Sequence, residues 1–143
     1  MTTKRTLLLS LALVILIAGC GERKMKLGGL VTFADDDAPV TSGFVIFTAI
    51  GADFQSRGKI GADGTYTLSS TGNNDGIPPG EYAVSLVGVE KNTQVDTPDG
   101  SYFTLSEPLI LPKYTSPETS DLTFTVDGST KRYDIQVERF RRR

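Results

Sequence analysis

The chain has 143 residues, enough for one domain, and its 38% hydrophobic content with 22% charged residues excludes a disordered protein. The net charge of −2 argues against a nucleic-acid-binding protein, which normally presents a cationic face. The chain contains no His, so the commonest general base and the commonest zinc ligand are missing, and its single Cys excludes an intrachain disulfide.

Residues 1–19 have the pattern of a secretory signal. Lys4 and Arg5 give a positively charged start, residues 7–18 are apolar except for Ser10, and a small residue follows. A helix that crosses a bilayer needs about 20 apolar residues, so this segment is too short to remain as an ordinary membrane span. The sequence therefore predicts a signal peptide that is removed from the mature protein.

The end of this segment, Ile17-Ala18-Gly19-Cys20, resembles the bacterial lipobox. The resemblance implies that the chain is cut before Cys20, that Cys20 is acylated and that a lipid bilayer is a partner. Each buried methylene adds about 0.8 kcal/mol of membrane affinity, so two or three acyl chains hold a protein firmly. An Asp directly after Cys20 would favour retention in the inner membrane. The chain has Gly21 at this position, so the outer membrane is favoured. The alternative is an ordinary signal peptide followed by an incidental free thiol.

After a short polar tether at residues 20–26, the body of the chain has the pattern of short strands and turns. Several runs alternate apolar and polar residues with a period of two, which is typical of half-buried strands. The run at 43–50 is the most apolar and predicts a central strand. Asp-Gly pairs at 63–64 and 127–128 predict hairpin turns. Seven strands are predicted, at residues 27–33, 43–50, 54–60, 66–69, 81–89, 122–126 and 133–137.

Residues 90–120 carry four prolines and no clean periodicity, which predicts a long connection between strands. Long connections of this kind are often functional. We therefore regard Tyr102, Phe103 and Tyr114 as candidate residues for binding a ligand or a partner. Within the same connection, Ser116 followed by Pro117 predicts the start of one helical turn.

A sheet with one apolar face must bury that face, and the usual all-β solution at this size is a two-layer sandwich, with a small barrel as the alternative. The order of signals resembles the transthyretin-like, or carboxypeptidase regulatory-like, domain of small bacterial lipoproteins, over about residues 26–138. The resemblance rests on segments 31–40, 62–66, 79–82, 110–114 and 116–122.

This resemblance implies a seven-stranded, prealbumin-like β-sandwich of Greek-key type at residues 27–138. It also implies a mostly non-catalytic envelope or accessory module. The enzymatic branch of the wider fold, the hydroxyisourate hydrolases, depends on His residues. This chain has none, so that activity does not carry over.

Two charged segments stand out. Asp35, Asp36 and Asp37 form the densest acidic cluster, which is a weak candidate for a Ca²⁺ site and otherwise a solvated turn. Residues 139–143 form a basic C-terminal tail that could dock on anionic lipid or acidic envelope polymers, or remain a solvated end.

The sequence therefore predicts a membrane-anchored, non-enzymatic envelope lipoprotein without a cofactor, acting as a β-sandwich interaction or structural module. Its predicted partners are the bilayer and envelope proteins or polysaccharide, not nucleic acid. One alternative is an extracytoplasmic module that binds carbohydrate or another small ligand. Another is a hydrolase with paired carboxylates, such as Glu81 with Glu90 or Glu118 with Asp121, which must converge to within about 5–10 Å.

Overall fold

The structure is a computed structural model that describes residues 23–72 and 75–141. The signal peptide, the lipobox residues 17–19 and Cys20 lie outside the described residues, as do Arg142 and Arg143 of the basic tail. Within the described ranges, no helix is long and apolar enough to cross a bilayer.

The described residues contain nine strands and one 3₁₀ helix. The 3₁₀ helix spans Pro112–Thr115. The strands are β1 Gly28–Phe33, β2 Phe44–Ala49, β3 Gln55–Lys59, β4 Thr65–Thr67, β5 Gly80–Val87, β6 Glu90–Asp96, β7 Tyr102–Pro108, β8 Leu122–Val126 and β9 Ile135–Val137.

Seven of these strands form two sheets that enclose one core. The first sheet has the order β4-β1-β9, with β1 antiparallel to β4 and parallel to β9. The second has the order β3-β2-β5-β8 and is antiparallel throughout. The predicted all-β, sandwich-like architecture is therefore confirmed. The apolar run at 43–50 forms β2, which lies between β3 and β5.

Alternating side chains from the two sheets fill the core. Val45 and Phe47 of β2 are fully buried, and so are Val84 and Leu86 of β5. The Phe47 ring lies at the centre of an aromatic group, with ring centroids 5.9 Å from Tyr82, 6.3 Å from Phe124 and 6.1 Å from Tyr133. Further buried residues come from the other sheet: Val31, Phe33, Tyr66, Ile135 and Val137.

Glycine in β1 permits a close approach of two backbones. A side chain at Gly29 would collide with the carbonyl oxygen of Tyr133. The buried hydroxyl of Tyr66 donates a hydrogen bond of 2.7 Å to the same carbonyl. Gly29 therefore allows the chain just before β9 to lie against β1.

The segment predicted as an irregular connection contains a β-hairpin instead. Strands β6 and β7 pair antiparallel from Glu90 opposite Pro108 to Asp96 opposite Tyr102. They form a separate two-stranded sheet. Nearly every residue in both strands is exposed, so neither strand has the alternation of buried and exposed positions that identifies a half-buried strand. The prediction for residues 90–108 was wrong for this reason.

The rest of that connection packs onto the sandwich. Ile110 is buried and forms a bridge with Arg139, beyond the end of β9. The helical turn predicted from Ser116 is a hydrogen-bonded turn, in which the Ser120 amide donates to the Ser116 carbonyl at 3.1 Å. Ser120, itself buried, donates its hydroxyl to the Val84 carbonyl at 2.5 Å and fixes the turn against β5.

Candidate functional site

The β6–β7 hairpin projects from the sandwich and does not contribute to its core. The buried cluster includes Val89 just before the hairpin and Ile110 just after it, and no residue between 90 and 108 belongs to it. A hydrogen bond of 3.0 Å from the Leu109 amide to the Val89 carbonyl closes the base. Each strand has 7 residues, so the hairpin extends about 23 Å from that base.

One face of the hairpin is apolar and uncovered. Val95 lies opposite Phe103, and Thr93 lies opposite Leu105. Phe103 is 52% exposed and Leu105 is 44% exposed, while Tyr102, next to the turn, is 66% exposed. A two-stranded hairpin alone is only marginally stable in water. Large apolar side chains placed on it are therefore expected to serve an interaction surface.

The far end of the hairpin is also acidic. We call residues 92–106 the hairpin tip; its charged residues are Asp96 and Asp99, and it contains no Lys or Arg. Hydrogen bonds from Thr97 and Ser101 hold the turn and lower the pKa of Asp99 to about 2. Asp99 is therefore ionised at neutral pH, and the tip combines a charge of −2 with exposed apolar side chains.

A shallow groove lies on the outer face of the second sheet. Its volume is about 650 Å³, and a polar loop at residues 69–72 forms one wall. The Arg57 guanidinium carbon lies 5.7 Å from the centre of the Phe44 ring, at the geometry of a cation–π contact. The apolar and basic side chains that line this Phe44–Arg57 groove are Phe44, Ile46, Arg57 and Lys59.

The two cations of the groove are not neutralised. None of the ion pairs found within the described residues includes Arg57 or Lys59. Both side chains alternate with the buried residues of β3 and therefore point to solvent. The groove thus presents a charge of +2 beside an apolar floor.

Asp75 fixes the loop that walls this groove. Its carboxylate accepts hydrogen bonds from the amides of Ser70 and Thr71 and from three hydroxyls of the loop. Lys24 forms an ion pair with it at 2.5 Å. The hydrogen bond from Lys24, followed by those from Thr71 and the loop amides, holds the pKa of Asp75 well below its usual value. The same carboxylate therefore orders the loop and ties the start of the domain to it.

The three consecutive aspartates bind side chains of the C-terminal region rather than forming a cation cage. Arg139 forms ion pairs with Asp35 at 3.3 Å and with Asp36 at 2.9 Å. Arg141 reaches Asp35 at 2.8 Å, and the hydrogen bond from Arg141 lowers the pKa of Asp35. Gln136 donates to Asp37 at 2.9 Å. No group of three or more potential metal ligands occurs among the residues that the structure describes.

Arg139 also covers an aromatic ring. Its guanidinium carbon lies 3.6 Å from the centre of the Phe33 ring, and Phe33 is only 4% exposed. The first residues of the basic tail are therefore part of the folded domain. Their charges are paired with the acidic cluster, with the Arg139 side chain about one-third exposed and that of Arg141 largely exposed.

The three aromatic residues proposed from the sequence do not share a surface. Tyr114 is buried in the main core at 6% exposure, and its hydroxyl donates to Glu138 at 3.2 Å. Lys113 forms an ion pair with the same Glu138 carboxylate at 2.5 Å. Tyr102 and Phe103, by contrast, are exposed on the hairpin tip. The structure therefore retains two of the three residues as surface candidates.

Of the carboxylate pairs considered for a hydrolase, one is separated along a strand, and the other contains a carboxyl whose pKa is lowered. Glu81 lies at the start of β5 and Glu90 follows its end, so about 20 Å of strand separates them. Glu118 accepts a hydrogen bond from Ser116, which lowers the pKa of its carboxyl. A general acid requires a raised pKa.

Sequence reasoning missed the groove and the hairpin faces. The groove depends on β2 and β3 lying side by side, which places Ile46 opposite Arg57 and Phe44 opposite Lys59. The hairpin had one local signal, because Pro-Asp-Gly at 98–100 separates two short segments that contain β-branched and aromatic residues.

The sequence matches no protein-family model and no curated protein. Among solved structures, the chain is similar to BcpA, the major pilin subunit of Bacillus cereus, with 10% identity and a TM-score of 0.44 over 81% of this chain. It is also similar to a 9R-lipoxygenase from Cyanothece PCC8801, with 13% identity and a TM-score of 0.36 over 80% of this chain. The chain spans 29% of the pilin chain and 16% of the lipoxygenase. These TM-scores are too low to establish a shared fold.

Proposed function

We propose that this chain is a non-enzymatic envelope lipoprotein, anchored through acylated Cys20, that binds a protein partner through the tip of its β6–β7 hairpin. The uncovered apolar face of the hairpin carries the proposal, since Phe103 and Leu105 stand at about half exposure on an element that adds nothing to the core. Uncovered apolar surface of this kind is typical of protein interaction sites.

The fold type is part of the proposal. Seven strands in two sheets, with the hairpin as an insertion between β5 and β8, support a transthyretin-like, or prealbumin-like, sandwich. In this interpretation the sandwich is a rigid support, and the insertion carries the binding surface. Binding residues are commonly placed on connections that a rigid scaffold positions.

The anchor would hold the domain close to the bilayer. Lys24 is paired with Asp75, and Met25 forms a bridge with Ile77, so the folded domain begins directly after Cys20 and a few residues. Four extended residues span at most about 14 Å. Such a short tether keeps copies of the domain in one layer above the membrane, where a weak contact becomes effective.

Two measurements test this function. Palmitate labelling of the full chain should be lost in Cys20→Ala, and equal labelling of both proteins would refute the anchor. Complexes released from the envelope with mild detergent should run above the size of the monomer. Phe103→Ser should reduce that size, whereas Ile50→Ser, which changes a residue of similar exposure (54%) outside the hairpin, should not. An unchanged size for Phe103→Ser would refute the binding role of the hairpin.

A further inference from the structure

We infer that the partner of the hairpin tip is a second copy of this chain, whose Phe44–Arg57 groove receives the tip. The inference deepens the proposed function and rests on it. It is carried by the match between two surfaces of the molecule, neither of which is covered by another part of the described chain.

The two surfaces have opposite charge. The tip holds Asp96 and Asp99 without a cation, and the groove holds Arg57 and Lys59 without an ion pair among the described residues. Such complementarity guides association and excludes partners of the wrong sign. It also argues against the bilayer as the occupant, because anionic headgroups repel an acidic tip.

The two surfaces also match in apolar character. Phe103 is 52% exposed on the tip, and Phe44 is 36% exposed in the groove beneath the Arg57 guanidinium. A second aromatic ring placed against the same guanidinium would add a cation–π contact. A groove of about 650 Å³ has ample room for an aromatic side chain and its neighbours.

The tip and the groove do not satisfy each other within one molecule. Phe44 pairs with Val87 at the end of β5, close to the base of the hairpin, while the turn at residues 97–101 lies about 23 Å further along. The high exposure of Tyr102 and Phe103 shows that no part of the described chain covers them. A tip that binds the groove of a different copy makes a head-to-tail contact, which continues from copy to copy into a ring or a row.

The size of the contact predicts weak individual binding. A hairpin about 23 Å long and about 10 Å wide offers on the order of 200 Å² per face, well below the roughly 800 Å² per partner of a stable complex. Assembly then depends on the local concentration that a shared membrane layer provides. The contact should accordingly be sought in the envelope rather than in dilute solution.

Photo-cross-linking from position 103 tests the inference. The full chain, with a benzophenone amino acid in place of Phe103, is irradiated in the cells that produce it. The expected product is a covalent dimer of the processed chain, with the link mapped by mass spectrometry to the peptides that carry Phe44 and Arg57. The same probe at Ile50, which is equally exposed but outside both surfaces, should give no dimer.

Charge reversal provides the second part of the test. Arg57→Glu should reduce the dimer yield about tenfold, since it removes the net positive charge of the groove and places a carboxylate against the acidic tip. A chain that carries both Arg57→Glu and Asp96→Lys should restore it, because the introduced carboxylate of one copy then faces the introduced ammonium of the next. Lys131→Glu, on an exposed cation away from the groove, should leave the yield unchanged.

The outcomes are distinguishable. Cross-linking of position 103 only to another protein would overturn the second-copy inference and leave the proposed function standing. No cross-link to any protein would overturn both. A dimer whose yield is insensitive to Arg57→Glu, or whose link maps outside the groove, would overturn the assignment of the groove.

Discussion

Removal of the hairpin tip should leave the stability of the sandwich almost unchanged. In the variant, residues 92–106 are replaced by Asn-Gly, so that Lys91 and Glu107, which face each other across the hairpin, flank a two-residue turn. We expect the free energy of unfolding to change by less than about 1 kcal/mol, because large losses come from core cavities or broken buried networks.

The magnitude follows from what the deletion removes. The buried cluster contains no residue between 90 and 108, so no core contact is lost. The connection between Val89 and Leu109 becomes about threefold shorter, which lowers the entropic cost of closing it by about 1 kcal/mol. The cross-strand pairs of the deleted tip, at about 0.2–1 kcal/mol each, are lost and offset this gain.

Urea unfolding followed by far-ultraviolet circular dichroism measures the effect. Phe47→Ala is the matched core control, and it should lose about 3–5 kcal/mol because Phe47 is fully buried among three aromatic rings. A loss above about 2 kcal/mol in the truncated chain would show that the hairpin belongs to the cooperative core. The interpretation of the hairpin as a free binding element would then fail.

Three further predictions concern the body of the domain. Arg139→Ala should lower the free energy of unfolding by about 1 kcal/mol, through loss of its stacking on Phe33; an unchanged urea midpoint would contradict this. Ser120→Ala should lower the free energy of unfolding by about 1–3 kcal/mol, because it removes a buried hydrogen bond. Ser56→Ala should lower it by less than about 0.5 kcal/mol, since the Ser56 hydroxyl is buried without a partner among the described residues. Equal losses in the two variants would refute this contrast. The lowered pKa of Asp75 means that its stabilisation is complete above about pH 4 and is lost as the pH falls towards its folded-state pKa. Asp75→Asn should therefore show a smaller drop in melting temperature than the unaltered chain between about pH 5 and pH 2, and parallel curves would refute this assignment.

The strands of the two sheets could be predicted because each has one buried face. In β9, for example, Ile135 and Val137 are buried on either side of an exposed Gln136, which gives a clear period of two. The pattern also located β5, where buried residues recur at Tyr82, Val84 and Leu86. The hairpin escaped prediction because it has no buried face. Its strands therefore lack the alternation of buried and exposed positions on which the prediction of the other strands relied.

The pairing of the acidic cluster with the basic tail depends on topology rather than on local sequence. Phe33 ends β1 and Val137 ends β9, and these two residues lie opposite each other in the parallel pair. The residues that follow each strand, Asp35 and Arg139, are therefore carried to the same edge of the sheet. Each segment was visible in the sequence, but only the parallel pairing of β1 and β9 brings them together.

The candidate groove was hidden for a related reason. Phe44 and Ile46 belong to an apolar strand in which both faces look buried, and only the register with β3 shows that they share the outer face with Arg57 and Lys59. A single sequence does not specify that register. The exposed aromatics at 102 and 103 were found from their position in a long connection, whereas Tyr114 was misplaced with them because burial is a tertiary property.

Hydroxyl-radical footprinting in the intact envelope tests most directly whether the hairpin tip is a binding surface. Oxidation of Tyr102 and Phe103 is compared between the envelope and the purified full chain, with Ile50 as an internal reference of similar exposure. A covered tip predicts that oxidation at 102 and 103 falls several-fold in the envelope while oxidation at Ile50 does not. Equal oxidation of the tip in both preparations would contradict the account.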